Sequence, residues 1–218
     1  MHVDIWSDIV CPWCYVGKRR FEEALSRFPH RSDVVVRHHA FQLDPTAVPG
    51  EVTSRRDRLK AKYGLTDERV AALDEQMAQT FRSVGLTFLG GEGTSGNTRA
   101  AHEVVAAADA VGRQDAAIER LFRAYFSEGR SVFDPASLVT LGAEVGLDEA
   151  ALRQALIDGT YADSVDADLA VARDIGISGV PFFVFDMKFA VSGAQRAEVF
   201  EQALLQAWTA QGAAPDVG

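Results

Sequence analysis

Cys11 and Cys14 stand in the stretch DIVCPWCYVGKRRFEEAL, residues 8–25, with only Pro12 and Trp13 between them. They are the sole cysteines of the 218-residue chain. Thiols this close can ligate a metal, pack as small hydrophobes, or exchange disulfides. A structural zinc site takes about four Cys or His ligands in close spacing. This chain offers two cysteines and five scattered histidines, and His38 and His39, adjacent on a strand, point to opposite faces. Packing alone explains neither the spacing nor Pro12, a residue suited to the first turn of a helix. Disulfide exchange uses the whole motif. Cys11 falls at an exposed helix N-terminus, where unpaired N–H groups and the helix dipole favour a thiolate. Cys14, three positions later on the same helix face, is within reach of a mixed disulfide on Cys11. Trp13 either lines a substrate groove beside the pair or shields it.

Composition supports an ordinary globular protein, 47% hydrophobic and 24% charged, able to bury a core without cross-links. The net charge of −9 argues against nucleic acid or an anionic membrane as partner. The opening MHVDIWSDIV has no basic segment, long apolar run or small-residue cleavage site. No window reaches ~18 consecutive apolar residues, the length a spanning helix needs. The expected location is therefore the cytoplasm, where a lasting structural disulfide is unusual and a lone CxxC points to redox chemistry or metal. The one basic run, SRRDRLKAK at 54–62, is expected to be a solvated helix face.

The elements that must position the pair follow from period and punctuation. HVDIWS, residues 2–7, reads as a strand entering the CPWC turn, and a helix starts at Pro12 and runs through Phe21 and Leu25. A second strand is expected over 34–43, ended by Asp44 and Pro45. From about Thr53 to Asp174 the period is helical almost throughout. Val70, Leu73, Met77, Phe81 and Val84 form one apolar stripe and Ile118, Leu121, Phe122, Tyr125 and Phe126 another, with Met77 and the aromatics of both expected in the core. Asp134-Pro135 and Asp148 open helices that Gly146 and Gly159 close, and the last helix of the series spans Asp163–Ile175. Then come VPFFVFD, a turn at 186–188, FAVS, and a final helix from Ala194 to about Ala210, with the tail 212–218 expected to fray. Without the helical block the order is βαβ and then αββα. That is an α/β thioredoxin-like mixed sheet with a helical domain inserted in its middle, residues 1–50 and 163–218 forming the sheet domain and 51–162 the insertion. Pro181 opens the apolar strand after SGV, and in this topology its loop comes beside the CxxC turn. A cis Val180–Pro181 bond is expected there, with Val180 backbone able to pair with an extended substrate.

WSDIVCPWCYVGKRRFE, FQLDP, NTRAAH at 97–102 and GVPFFVFDMKFAVSGAQ together resemble the FrnE-like branch of the DsbA thiol:disulfide oxidoreductases, over nearly the whole chain. The resemblance implies a thioredoxin fold with a helical insertion, Cys11 as attacking thiol, Cys14 as resolving thiol, and substrate contacts at Pro12, Trp13, Val180 and Pro181. It makes Asn97 and His102 site candidates, although Asn97 or Thr98 would serve equally as a helix N-cap. The chain departs from the pattern in three places. Trp13 stands where DsbA has histidine and supplies no charge or imidazole N–H to a thiolate. Ile5 stands where thioredoxins and DsbA have a buried acid, and neither Asp4 nor Asp8 is an obvious replacement. The second cysteine pair of some FrnE-like proteins is missing. The expected function is a cytoplasmic reductase or isomerase of protein or small-molecule disulfides, with no cofactor and with glutathione or a thioredoxin-type protein as reductant. Two alternatives stay open. One is a glutathione-dependent isomerase or transferase of the kappa-like type, in which Cys14 would be dispensable, and the other a redox-responsive binding module.

Overall fold

The computed structural model describes residues 1–90 and 93–212, so all of the tail beyond Gly212 lies outside the described residues. β1 (His2–Ser7), α1 (Pro12–Arg27) and β2 (Val35–Ala40) come first. A middle stretch follows with β3 (Val52–Ser54), α2 (Arg55–Tyr63), α3 (Asp67–Ser83), β4 (Thr94–Gly96), α4 (Arg99–Asp109), α5 (Gln114–Ser127), α6 (Pro135–Ala143) and α7 (Glu149–Asp158). The chain returns through α8 (Ala162–Asp174) to β5 (Phe182–Phe185), β6 (Phe189–Ser192) and α9 (Ala197–Ala210).

The main sheet has the order β2-β1-β5-β6. β1 is parallel to β2 and antiparallel to β5, which is antiparallel to β6. The period of two sends Val3, Ile5, Phe183 and Phe185 to one face, where they pack with Phe21 of α1 and Phe200 and Leu204 of α9. Trp6 and Val184 take the other face with Ala172 and Ile177. The helical stretch has its own core around Phe81, Val104, Phe122, Phe126 and Leu138, which also takes in Ile9, Cys14 and Tyr15. Tyr15 joins the two, its ring 5.0 Å from that of Phe122 and 5.8 Å from that of Phe81. No helix among the described residues is long and apolar enough to cross a membrane.

Several expectations shift. The second strand stops at Ala40 rather than 43, because the Leu43 N–H turns away to donate to the Asp8 carboxylate at 2.8 Å. The last helix begins at Ala197, after a turn tied by Gln195 N to Gly193 O. β3 and β4 form a small antiparallel ribbon inside a stretch expected to be helical. Three-residue strands so far apart carry no readable period. The Asp186–Met187 turn puts both residues at positive φ, 48° and 53°; Asp tolerates this region, and Met rarely enters it.

Two side-chain devices hold β2. The Gln114 amide donates to His38 O and accepts from His38 N, each at 2.9 Å. His39, on the opposite face, lies between Asp168 at 2.6 Å and Asp4 at 2.8 Å and stacks on Trp6 with centroids 4.5 Å apart. Burial alone would lower the His39 pKa, but hydrogen bonds and charge from Asp168 and Asp4 outweigh it and hold the imidazole at about 9. Of the buried His38 ring, Nε2 meets Asp115 at 3.1 Å, while Nδ1 has no partner.

Candidate active site

Cys11 is the N-cap of α1 and Pro12 follows at the first turn. The turn between β1 and α1 is closed by Cys11 N donating to Asp8 O and Cys14 N donating to Cys11 O, both at 3.0 Å. Both cysteines are free thiols. The Cys11 Sγ donates to Val180 O at 3.6 Å, so the loop before β5 lies against the thiol, and the Val180–Pro181 peptide is cis. Gly17 lets that loop approach: a Cβ built on it would lie 2.9 Å from Pro181 Cγ. We expect Gly17→Ala to cost about 1–3 kcal/mol by overpacking. The displaced loop should also slow disulfide exchange roughly tenfold, which urea unfolding and turnover measured side by side will check.

Cys11 is not exposed as expected. It retains 3% of its surface and Cys14 2%, because Val10 and Val180 pack over the turn. Trp13, 44% exposed, stands at the rim. Burial pushes the Cys14 thiol well above its ordinary pKa, and the hydrogen bond and charge of Cys11 add to this. The backbone of Asp8 lowers it, and the Asp8 carboxylate, a smaller influence, raises it.

Cys11 opens into a cavity of about 460 Å³ between the cysteine turn and α2 and α3. Leu59, Leu73, Met77 and Tyr125 give it apolar walls, with Pro12, Trp13 and Val180 at the cysteine end. Met77 packs against the helical core, as expected, and with Leu73 also lines this cavity. The basic run likewise serves as more than a solvated face, for Arg55, Arg58 and Lys62 line the cavity too. Arg55 is bound to Asp74 at 2.8 Å and Arg58 to Asp44. The Lys62 ammonium lies 5.5 Å from the Tyr63 ring.

Of the remaining candidates, His102 reaches the underside of the cysteine turn. Its Nε2 is 3.0 Å from Phe41 O and 3.5 Å from Asp8 Oδ1. Asn97 is a loop clamp: its Oδ1 accepts from Arg99 N at 2.8 Å and its Nδ2 donates to Ala47 O at 2.6 Å. It thus caps α4, while Thr98 makes no side-chain cap bond. Ile5 lies in the sheet core, and Asp4 is taken up with His39. The acid beneath the cysteines is Asp8, 1% exposed. Its only signal in the sequence is its place between the strand and the CPWC turn. Among the described residues no group of His, Cys, Asp and Glu is arranged to hold a metal ion.

Residues 2–205 match the family described as the DSBA-like thioredoxin domain. An uncharacterized protein of Bacillus subtilis, YwbO, is 30% identical over 205 residues, covering 94% of this chain and 96% of that one. Among solved structures, a probable DsbA oxidoreductase from Streptomyces coelicolor superposes with a TM-score of 0.93 at 44% identity, over 96% of this chain and 90% of the other. Cytosolic disulfide reductase DsbM from Pseudomonas aeruginosa, solved with GSH, gives 0.62 at 20% identity over 94% and 98%, a likeness of fold.

Proposed function

Because the chain belongs to the family of DSBA-like thioredoxin domains and is a thiol:disulfide oxidoreductase, we propose that it works through Cys11 and Cys14 as a cytoplasmic reductase or isomerase. Cys11 thiolate attacks a substrate disulfide and expels one thiolate, leaving a mixed disulfide. Cys14 then attacks Cys11 sulfur, expels the second thiolate and closes the Cys11–Cys14 disulfide. A dithiol reductant of the thioredoxin type, or two equivalents of glutathione, restores the pair. The observation that carries this division of labour is an asymmetry: Cys11 lines the cavity, while Cys14 does not and is held protonated by burial. Pro12, Trp13, Val180 and Pro181 would frame the substrate sulfur. Trp13 supplies no positive charge to the Cys11 thiolate, which favours a reducing over a strongly oxidising pair. The test is catalysed reduction of insulin by dithiothreitol. Accelerated precipitation of the B chain is expected, and a rate equal to the protein-free control would overturn the reading.

The cavity favours a second reading, a glutathione-dependent isomerase or transferase. Its 460 Å³ and cationic wall suit a small anionic thiol, and the DsbM structure contains GSH. Calorimetric titration with glutathione decides it: saturable binding together with full Cys14→Ser activity on a glutathione conjugate supports this reading, and no heat rejects it.

A further inference from the structure

α2 walls the cavity across from the cysteine turn, yet none of its residues is buried. It follows directly on the short β3–β4 ribbon and stops on Gly64, whose φ of 64° is left-handed. Its ion pairs among the described residues fall into two sets. Arg55–Asp74, Arg56–Asp67 and Lys60–Asp67 tie it to α3. Arg58–Asp44 joins it instead to the loop after β2, and both partners line the cavity. That loop is a fixed post. Asp44 Oδ1 accepts from Thr46 N at 3.0 Å and from Thr46 Oγ1 at 2.6 Å, which leaves Oδ2 for Arg58. The neighbouring Leu43 N–H is held by the Asp8 carboxylate and Ala47 O by the Asn97 amide. A helix with no buried side chain has little packing of its own to keep it in place, so the Arg58–Asp44 pair is what fastens α2 to the cysteine side.

Cys11, 3% exposed, faces this cavity. A small-molecule disulfide fits whole within its 460 Å³. A disulfide in a protein arrives with chain on either side of it and needs the mouth wider.

We propose that Arg58 and Asp44 form a latch that sets substrate size. Closed, it favours small-molecule disulfides; a protein disulfide meets Cys11 in the fraction of molecules whose latch is open and whose α2 has moved outward. Arg58 and Asp44 are thus specificity-determining residues, and the latch rests on the reading of Cys11 as the attacking thiol. It adds no chemical step. With either substrate, one disulfide becomes two thiols while the two cysteine thiols become the Cys11–Cys14 disulfide.

Single-turnover oxidation of the reduced full-length protein, without dithiothreitol, reads the latch. Excess insulin is compared with excess bis(2-hydroxyethyl) disulfide, which is small and uncharged, and the loss of free thiols is followed by quenching with N-ethylmaleimide and mass spectrometry. The ratio of the two rate constants cancels any change in the reactivity of Cys11 itself. In Asp44→Asn and in Arg58→Gln the insulin-to-small-disulfide ratio is expected to rise roughly fivefold over wild type, the shift in open population that loss of a partly exposed ion pair produces. The two substitutions change the cavity charge in opposite directions. Steering of insulin by charge would therefore raise the ratio in one variant and lower it in the other, whereas an opened latch raises it in both. Anything short of a rise in both overturns the proposal. If Arg58→Gln lacks the wild-type near-UV circular dichroism, Arg58→Met, which keeps the side-chain stem on the cavity wall, decides by the same criterion, as Asp44→Ser does for Asp44→Asn. Cys11→Ser is run alongside. If it loses thiol as fast as wild type, the reading of Cys11 fails, whereas an unreactive Cys11→Ser beside unchanged ratios condemns the latch alone.

Discussion

Cys11→Ser is expected to bring catalysed disulfide reduction down to the uncatalysed rate, while Cys14→Ser should keep the first half of the reaction and stall in the second. The nucleophile in disulfide exchange is the thiolate, and a serine hydroxyl does not ionise near neutrality. Cys11 is the cysteine that lines the cavity, and Cys14, which does not, is not expected to take its place. In Cys14→Ser the attack on substrate still occurs and no neighbouring thiol resolves the product. Mass spectrometry without reductant should find one substrate adduct per chain on Cys14→Ser and none on Cys11→Ser. Adducts on Cys14 in the Cys11→Ser protein would reverse the assignment.

Alkaline pH should weaken the protein well before Tyr15 and Tyr125 ionise, both held up at about 12 chiefly by burial. The His39 pKa of about 9 in the folded chain lies above the ordinary 6.5. Its ion pairs with Asp4 and Asp168 are therefore fully felt below about pH 6.5 and are lost as pH rises through 9. The displacement corresponds to roughly 3 kcal/mol, at about 1.4 kcal/mol per pKa unit, an upper bound for a side chain that keeps 22% of its surface. Asp168 also accepts from Ala40 N at 2.8 Å, and its backbone oxygen accepts from Trp6 at 3.2 Å. What loosens is thus the seat of α8 on the sheet. Urea midpoints between pH 6 and 10 should decline with an inflection near 9. His39→Gln should be less stable than wild type at pH 6, the gap closing by pH 10. Parallel curves for the two proteins would show that the imidazole charge contributes nothing.

Much of the architecture was legible because its signals are local. The alternation in HVDIWS, Pro12 after Cys11, the Asp134 and Asp148 caps and the stripe through Phe81 each settle one element from a few residues. Both Asp134 and Asp148 accept from the N–H three positions on, at 2.8 and 2.7 Å. What escaped depends on contacts between distant segments. Cys11 is buried by Val180, and Leu73 and Met77 border a void because α3 stands off from the cysteine turn. The burial of Asp8 beneath the pair comes with His102, 94 positions along the chain, folding to within 3.5 Å of it. Six residues before Cys11, where thioredoxins carry a buried acid, stands Ile5. The fold supplies one three residues before it, just past the end of the same strand.

The Gln114 amide on His38 matters beyond β2 itself. β2 ends the four-stranded sheet, and an open end of this kind invites pairing with a strand from another chain. By occupying both main-chain groups of His38, a single side chain imitates the next strand for one residue. A stray segment would have to evict that amide before its first ladder rung could form. α5 thereby acts as a stopper against fibre-like growth of the sheet.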